Sequence, residues 1–379
     1  MKIFFRRIHL YLSLAAGLII MVTCFTGAVL VFEKELQQFF HRERYFVEIP
    51  SGSTQVAVAK MVEMVEKQVP GADISSVKIY TDPSRTAELN YTVEKGQRRT
   101  AFVNPYSARI IEMYSYQETF FYTMFALHRW MLGGNIGKMI VGVSTIIFLF
   151  ILITGIVLWW PKTRAILRQR LRIKLDAGWK RVNHDLHIVV GFYSAILLFV
   201  FAFTGLAWSF EWFNKGIYKV TGSPMQGAKP PVNEFREGVN MAGFDKVLSS
   251  AKIAAADVEF YNISAPKDSV ASYAVNVLPN DAAHESATDN YYFDRYGASV
   301  NTVVRWEDRN LGQRVRATFK PVHVSSIIGM PSKIIGFIIC LLGTSFPVTG
   351  FIMWLNRTRK KKKQPGMLAA DMGEQEEAA

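Results

Sequence analysis

Hydrophobic positions along the 379-residue chain fall into two alternating patterns. Four uncharged apolar runs, Leu10 to Phe32, Met139 to Trp160, Ile188 to Phe210 and Ile334 to Leu355, are long enough to cross a hydrocarbon core ~30 Å thick, which takes ~20 helical residues. The stretches between them are patterned like soluble domains. "VAVAKMVEMVEKQV" (56–69) and "FDKVLSSAKIAAA" (244–256) carry apolar residues at helical spacing. "SVKIYT" and "AELNYTVE" alternate as strands do, and "FVNPYSARII" (102–111) and "YFDRYGASVN" (292–301) share a strand, turn, strand pattern. The pattern therefore predicts a membrane α-helical bundle of four transmembrane helices carrying two small α+β domains. Its expected parts are a first span over 9–32, a domain over 33–120, an interfacial helix and second span over 121–160, and a basic loop over 161–183. A third span over 184–210, a second domain over 211–320, an interfacial segment and fourth span over 321–356 and a tail over 357–379 complete it.

Composition agrees: half of the residues are apolar and 20% are charged, too apolar a balance for an ordinary soluble domain. The first run is too long for a signal-peptide core and has no small-residue cleavage site after it, so it reads as a retained span. The net charge of +13 does not point to nucleic acid, because of where it sits. Lys and Arg concentrate in Arg6 and Arg7, in "PKTRAILRQRLRIKLDAGWKRVNH" between the second and third spans, and in "NRTRKKKK" after the fourth. Short basic flanks stay cytoplasmic. Both termini are thus expected inside, with the two domains outside, which in a bacterium means the periplasm. Cys24 and Cys340 each lie within an apolar run. They form no disulfide framework and no CxxC or CxxCH site, and read as packing residues.

The spans repeat. Gly27 stands 18 positions after His9 and Gly205 stands 18 after His187, both closing an "FTG". Gly155 stands 27 positions after His128 and Gly350 stands 27 after His323, both closing a "TG". Between these ends Gly134 matches Gly329, Lys138 matches Lys333 and Trp159 matches Trp354. Two tandem halves, roughly 1–165 and 184–360, each entering from the same side, should be related as parallel repeats by an axis along the membrane normal.

Four of the seven histidines occupy matched positions. The repeat would bring His9 and His187 face to face at the cytoplasmic ends of the first and third spans. It would do the same for His128 and His323 at the outer surface, before the breaks "GGN" and "GMPS". Breaks are needed there, since 27 residues of straight helix run ~40 Å and overshoot the bilayer. Paired imidazoles across a bundle, one pair per membrane face, are what two bis-imidazole haems require. Without CxxCH the haems would be b-type. Gly17, Gly27, Gly155, Gly191, Gly205 and Gly350 lack side chains where a flat cofactor or a neighbouring helix comes close. Zinc is the rival metal, but structural zinc prefers four close ligands, and a membrane thickness separates these pairs. His184 lies three residues before His187 on nearly the same helix face, so the two cannot be opposite ligands of one haem. Its counterpart is Arg6, so it should contact a propionate or cap the helix. His41 and His284 have no counterparts and read as surface residues. Arg7, Arg129, Lys138 and Lys333 could pair with propionates, although snorkelling to the interface explains the lysines equally well.

"IHLYLSLAAGLIIMVTCFTG", "LHRWMLGGNIGKMIVGVSTIIFLFILITGIVLWWP" and "LHIVVGFYSAILLFVFAFTG" resemble the PepSY-associated transmembrane family, which includes bacterial ferric-siderophore reductases of the inner membrane. The resemblance covers nearly the whole chain apart from the acidic tail. It implies two periplasmic PepSY-like domains on a four-helix bundle, haem b between the spans on His9, His187, His128 and His323, and release of siderophore iron by reduction. The fourth span departs from the pattern, with "PVHVSSIIGMPSK" in place of an "LH" start and Pro347 inside the helix. The expected function is a transmembrane haem oxidoreductase whose partners are membrane lipid, a ferric siderophore and an electron donor. No GxGxxG dinucleotide fingerprint occurs, so the donor would be a quinol or a separate flavin or NAD(P)H reductase. Two other functions fit the pattern: a non-catalytic regulator whose domains bind an exported protein, and a quinol-linked haem carrier with another periplasmic acceptor. No HExxH or comparable cluster supports metal-dependent hydrolysis.

Overall fold

The computed structural model describes residues 2–93, 96–227 and 229–363; the acidic part of the expected tail lies outside them. In chain order its elements are helices α1 (Lys2–Val31), α2 (Glu33–Phe40), α3 (Arg42–Tyr45) and α4 (Val58–Gln68), then strands β1 (Asp73–Tyr80), β2 (Ala87–Val93), β3 (Gln97–Val103) and β4 (Ile110–Tyr114). Helices α5 (Phe120–Trp130), α6 (Gly134–Trp159), α7 (Arg164–Arg170), α8 (Trp179–Asp185), α9 (Gly191–Ser209), α10 (Glu211–Val220) and α11 (Phe244–Ala254) follow. Strands β5 (Val258–Ser264), β6 (Tyr273–Pro279), β7 (Asp289–Phe293) and β8 (Val300–Val304) precede the last two helices, α12 (Leu311–His323) and α13 (Met330–Lys363). The chain divides into a helical unit of residues 1–31, 124–210 and 333–379 and an α+β unit of residues 32–123 and 211–332.

Four helices are long and apolar enough to cross a membrane: α1, α6, α8 with α9, and α13. The chain is a multi-pass membrane protein. Its burial pattern is that of a helix bundle in lipid. Large side chains such as Leu18, Phe25, Phe150, Ile153, Ile196 and Ile335 are exposed, while Ala16, Thr26, Ala28, Ser144, Thr154, Ser194, Ala202 and Thr204 are buried. Small and hydroxyl residues let helix backbones approach where lipid supplies no hydrophobic drive for association. Pro347 fits this packing, because its Cβ lies 3.4 Å from where a Cβ on Gly17 would stand. Between α8 and α9, Leu186–Val190 forms a π-helical turn. Helix α5 stops at Trp130, where Met131 and Leu132 take positive φ (49° and 58°), and α6 restarts at Gly134. The same break separates α12 from α13 through Ser325 and Gly329 (φ 59° and 65°).

The α+β unit differs from the expectation of two separate small domains. Each set of four strands is a meander, but the two join edge to edge into one antiparallel eight-stranded sheet of order β4-β3-β2-β1-β5-β6-β7-β8. Strand alternation cannot reveal this, because it reports which face a residue takes and not which strand lies alongside. The β1–β5 register is symmetric about Val77 paired with Ile263, flanked by Ser76 with Ser264 and Lys78 with Asn262. Helices α4 and α11 cover one face. Val58, Met61 and Val65 pack on Val77, Leu89 and Val103, while Val247 and Ala251 pack on Ile263, Val275 and Phe293. Phe244 and Leu248 touch both cores, and the Asp245 carboxylate accepts from the Val58 and Ala59 amides (2.6 and 2.9 Å) at the start of α4. The two β-turns share one construction. Asn104 and Asp294 each accept from the amides two and three residues on, and Ala108 and Ala298 close the turns at φ 58° and 54°.

On the opposite face, α3 packs beside β4. Arg44, its side chain 7% exposed, donates through Nε and Nη2 to the Glu112 carboxylate (2.8 and 2.7 Å). Its guanidinium lies 4.5 Å over the Tyr114 ring.

Candidate functional site

In the helical unit, His9 of α1 and His187 of the π-turn face each other. Their ring centroids are 6.5 Å apart and their planes are at 89°. Two imidazoles bound through ~2 Å bonds to one ion, the usual metal–nitrogen length, have centroids about 6 Å apart. The pair is thus spaced as two axial ligands are.

The surroundings fix which ring nitrogen is free. Nδ1 of His9 lies 3.0 Å from Thr154 Oγ1 and 3.1 Å from the Ile151 carbonyl oxygen. The Thr154 hydroxyl itself donates to the Phe150 and Ile151 carbonyls of its own helix (2.8 and 3.0 Å). Its single proton is therefore committed, and both neighbours of Nδ1 accept. The proton belongs on Nδ1, and Nε2 keeps its lone pair. His187 repeats the arrangement: Nδ1 donates to Thr349 Oγ1 (2.9 Å), whose hydroxyl donates to the Ser345 and Phe346 carbonyls (3.1 and 3.2 Å). His128 of α5 does so a third time. Its Nδ1 donates to the Thr23 carbonyl (2.9 Å) and to Thr26 Oγ1 (3.3 Å), and Thr26 donates to Val22 (2.7 Å).

The glycine following each threonine makes room for the ring. A Cβ on Gly155 would stand 3.4 Å from His9 Cε1, one on Gly350 3.1 Å from His187 Cε1, and one on Gly27 3.1 Å from His128 Cε1. Each "TG" pair is therefore a histidine seat built from one acceptor and one gap. Sequence reasoning weights the glycine and passes over the threonine, although the recurring dipeptide was the available signal.

His184 and His187 do not share surroundings. His184 Nδ1 contacts the Asp185 carboxylate (3.2 Å), which Arg181 Nε also approaches (2.8 Å), and its side chain is 44% exposed. The widened π-turn begins directly after this pair, so the even helical spacing that puts both histidines on nearly one face does not hold here. Asn183 Nδ2 donates to the Thr349 carbonyl (3.1 Å), tying α8 to α13 beside the His187 seat.

His323 ends α12, half-buried; it belongs to the α+β unit and His128 to the helical one. Arg7 is exposed, whereas Arg129, Lys138 and Lys333 are half-buried. His41 is exposed, but His284 is not the surface residue expected. It is half-buried, its Nε2 lies 3.2 Å from Thr318 Oγ1, its ring packs edge-on against Trp306 (5.1 Å), and burial lowers its pKa. The cysteines pack, with Cys24 Sγ 2.9 Å from where a Cβ on Gly343 would stand. Among the described residues no three His, Cys, Asp or Glu side chains converge as a metal cluster. A four-ligand zinc site has no donor set here, while a group that takes one nitrogen from each side does. No curated protein matches the chain. The order of spans and domains, the seated histidines and the antiparallel sheet agree with a match of residues 6–357 to the model of the PepSY-associated TM region, and the chain belongs to that family.

Proposed function

We propose that the chain is a di-haem b oxidoreductase of the bacterial inner membrane that reduces a ferric siderophore on the periplasmic side and releases Fe(II) for uptake. The observation that carries this reading is the His9–His187 pair, spaced and protonated as two axial ligands. Haem b, when bound, supplies one-electron transfer. His128 has the same seat and is assigned to the second haem; His323 is assigned as its partner from the repeat alone. Arg7, Arg129, Lys138, Lys333 and His184 are the groups for the propionates. The two tandem parallel halves of this reading are supported by the recurring seats and by the symmetric β1–β5 register. Basic flanks argue that both termini are cytoplasmic.

The protein's own residues set the conditions. Thr154, Thr349 and Thr26 hold a proton on Nδ1 and so keep Nε2 basic, the role such outer partners play around a metal-bound histidine. Apolar spans exclude water. One electron converts Fe(III) to Fe(II), which hard oxygen chelators hold far more weakly, so a two-electron donor such as a quinol or a reduced flavin serves two chelates.

The test is the visible spectrum of the detergent-purified protein, oxidised and then reduced with dithionite, with haem measured per chain. About two low-spin b-type haems are expected, one for each histidine pair. The perpendicular planes of His9 and His187 predict a strongly anisotropic low-spin ferric EPR signal from the haem on that pair, lost in His187→Ala. A colourless protein from haem-replete cells sinks the reading and favours the regulator.

The seats make a second prediction. Thr349→Val keeps the shape but leaves Nδ1–H of His187 without its acceptor, and should weaken retention of one haem by roughly 10–100-fold. Transfer of haem to apomyoglobin measures this; an unchanged transfer rate would show the threonine to be idle.

A further inference from the structure

The sheet face opposite α4 and α11 holds a group of polar atoms that the α+β unit leaves unsatisfied. At its centre, where β1 meets β5, Lys78 is paired with Asn262 and Tyr80 with Phe260. The Lys78 ammonium lies 4.1 Å from the Phe260 ring centre and 4.6 Å from that of Tyr80. The Arg85 guanidinium lies 4.1 Å from Tyr80 and 5.1 Å from Phe46. The Glu88 carboxylate is near but already accepts from the Tyr80 hydroxyl (2.6 Å) with Arg85 at 4.0 Å; Glu259 also acts on Lys78. Among the described residues Lys78 makes no hydrogen bond and no ion pair. Nε of Arg85 and Oδ1 of Asn262 are buried without a hydrogen-bond partner.

A buried donor or acceptor left unpaired is costly, so native structures rarely place two together unless something else pairs with them. Here two such atoms, Arg85 Nε and Asn262 Oδ1, stand with the half-buried Lys78 among three aromatic rings. Burial lowers the pKa of Lys78 against the opposing pull of Glu88, with Arg85 and Lys34 adding to the lowering, and an anion set against these cations would reverse that. The rings offer flat walls, the cations take negatively charged oxygen, and Asn262 takes an N–H or O–H.

We propose that Lys78, Arg85 and Asn262, walled by Tyr80, Phe260 and Phe46, bind an anionic ligand that carries aryl oxygens and an amide or hydroxyl donor, the chemistry of a catecholate chelate. The ligand class rests on the reductase reading; the site rests on the sheet alone. It implies selection by charge: an anionic ferric catecholate is preferred to a neutral ferric trihydroxamate.

The experiment is equilibrium dialysis of the full-length, detergent-purified protein against the iron(III) complex of N-methyl-2,3-dihydroxybenzamide, an anionic catecholate that keeps an amide N–H, and separately against that of acetohydroxamate, with no electron donor present. Binding is thereby read apart from reduction, and haem content is measured on the same samples. A charge-assisted hydrogen bond contributes about 1.5–3 kcal/mol, so Lys78→Gln and Arg85→Gln should each weaken catecholate binding tenfold or more, while Lys78→Arg retains most of it. Asn262→Leu removes an unsatisfied acceptor and should leave the sheet intact, and it too should weaken binding severalfold. Circular dichroism and melting confirm that each variant is folded. Failure of the wild type to bind the catecholate complex, binding within twofold of wild type in all of the variants, or equal affinity for the neutral complex would each overturn the proposal. Catecholate binding by a protein that lacks haem would uphold the site while the reductase reading fell.

Discussion

His187→Ala should lower bound haem from about two per chain to about one, because a low-spin bis-imidazole haem loses half of its axial ligation. His9→Ala should do the same. The two imidazoles face each other at 6.5 Å, so they serve one site, and the double variant should lose no more haem than either single one; residues acting as a unit are not additive. His128→Ala should remove the other haem, so that His9→Ala with His128→Ala gives a nearly colourless protein. His41→Ala should retain both, since His41 is exposed. Pyridine haemochrome assay against protein concentration reads the stoichiometry. Two haems surviving in His187→Ala would remove the pair from the reading altogether.

Glu112→Ala should be among the most destabilising single changes in the α+β unit. It leaves the Arg44 guanidinium, 7% exposed, without the carboxylate that receives its Nε and Nη2 hydrogen bonds. Breaking a buried pair from one side costs ~3–5 kcal/mol, and the partial exposure of Glu112, 36%, brings the expectation to about 2–3 kcal/mol. Arg44→Met combined with Glu112→Leu should recover most of the loss, because no uncompensated charge then remains. Thermal melting of the purified variants, with haem content as a control on the helical unit, distinguishes the two. Equal melting of Glu112→Ala and wild type would show the pair to be replaced by solvent.

Much of the architecture was legible in the residues. Four long apolar runs became four long helices, because a span must satisfy its backbone internally and little besides a helix can do so. The amphipathic stretches beginning near Val56 and at Phe244 became α4 and α11, since a 3.6-residue period says which face is covered. That His9 meets His187 was legible for a different reason, the duplication of their spans at fixed intervals. What stayed hidden depends on neighbours in space. Nothing local at Lys78 announces Asn262 as its partner strand, and nothing in "LHIVV" announces a π-turn, which tertiary packing selects over an ordinary helical turn. Thr154 and Thr349 hid within apolar runs where a threonine most often back-bonds to its own helix. They do that as well, and the back-bond is what leaves the oxygen only an acceptor's role.

The β1–β5 seam also bears on how the protein is made. Val77 meets Ile263, so β1 lacks its neighbour on that side until the ribosome has produced the second half and α9 has carried the chain back across the bilayer. At roughly 5–20 residues per second, that wait is on the order of ten to forty seconds. During it a bare β-edge, a template for pairing with other chains, is presented by the first half. The safeguard that tides it over must come from outside the sheet, and slowing insertion of the third span should show itself as aggregation of the first half before any loss of activity is seen.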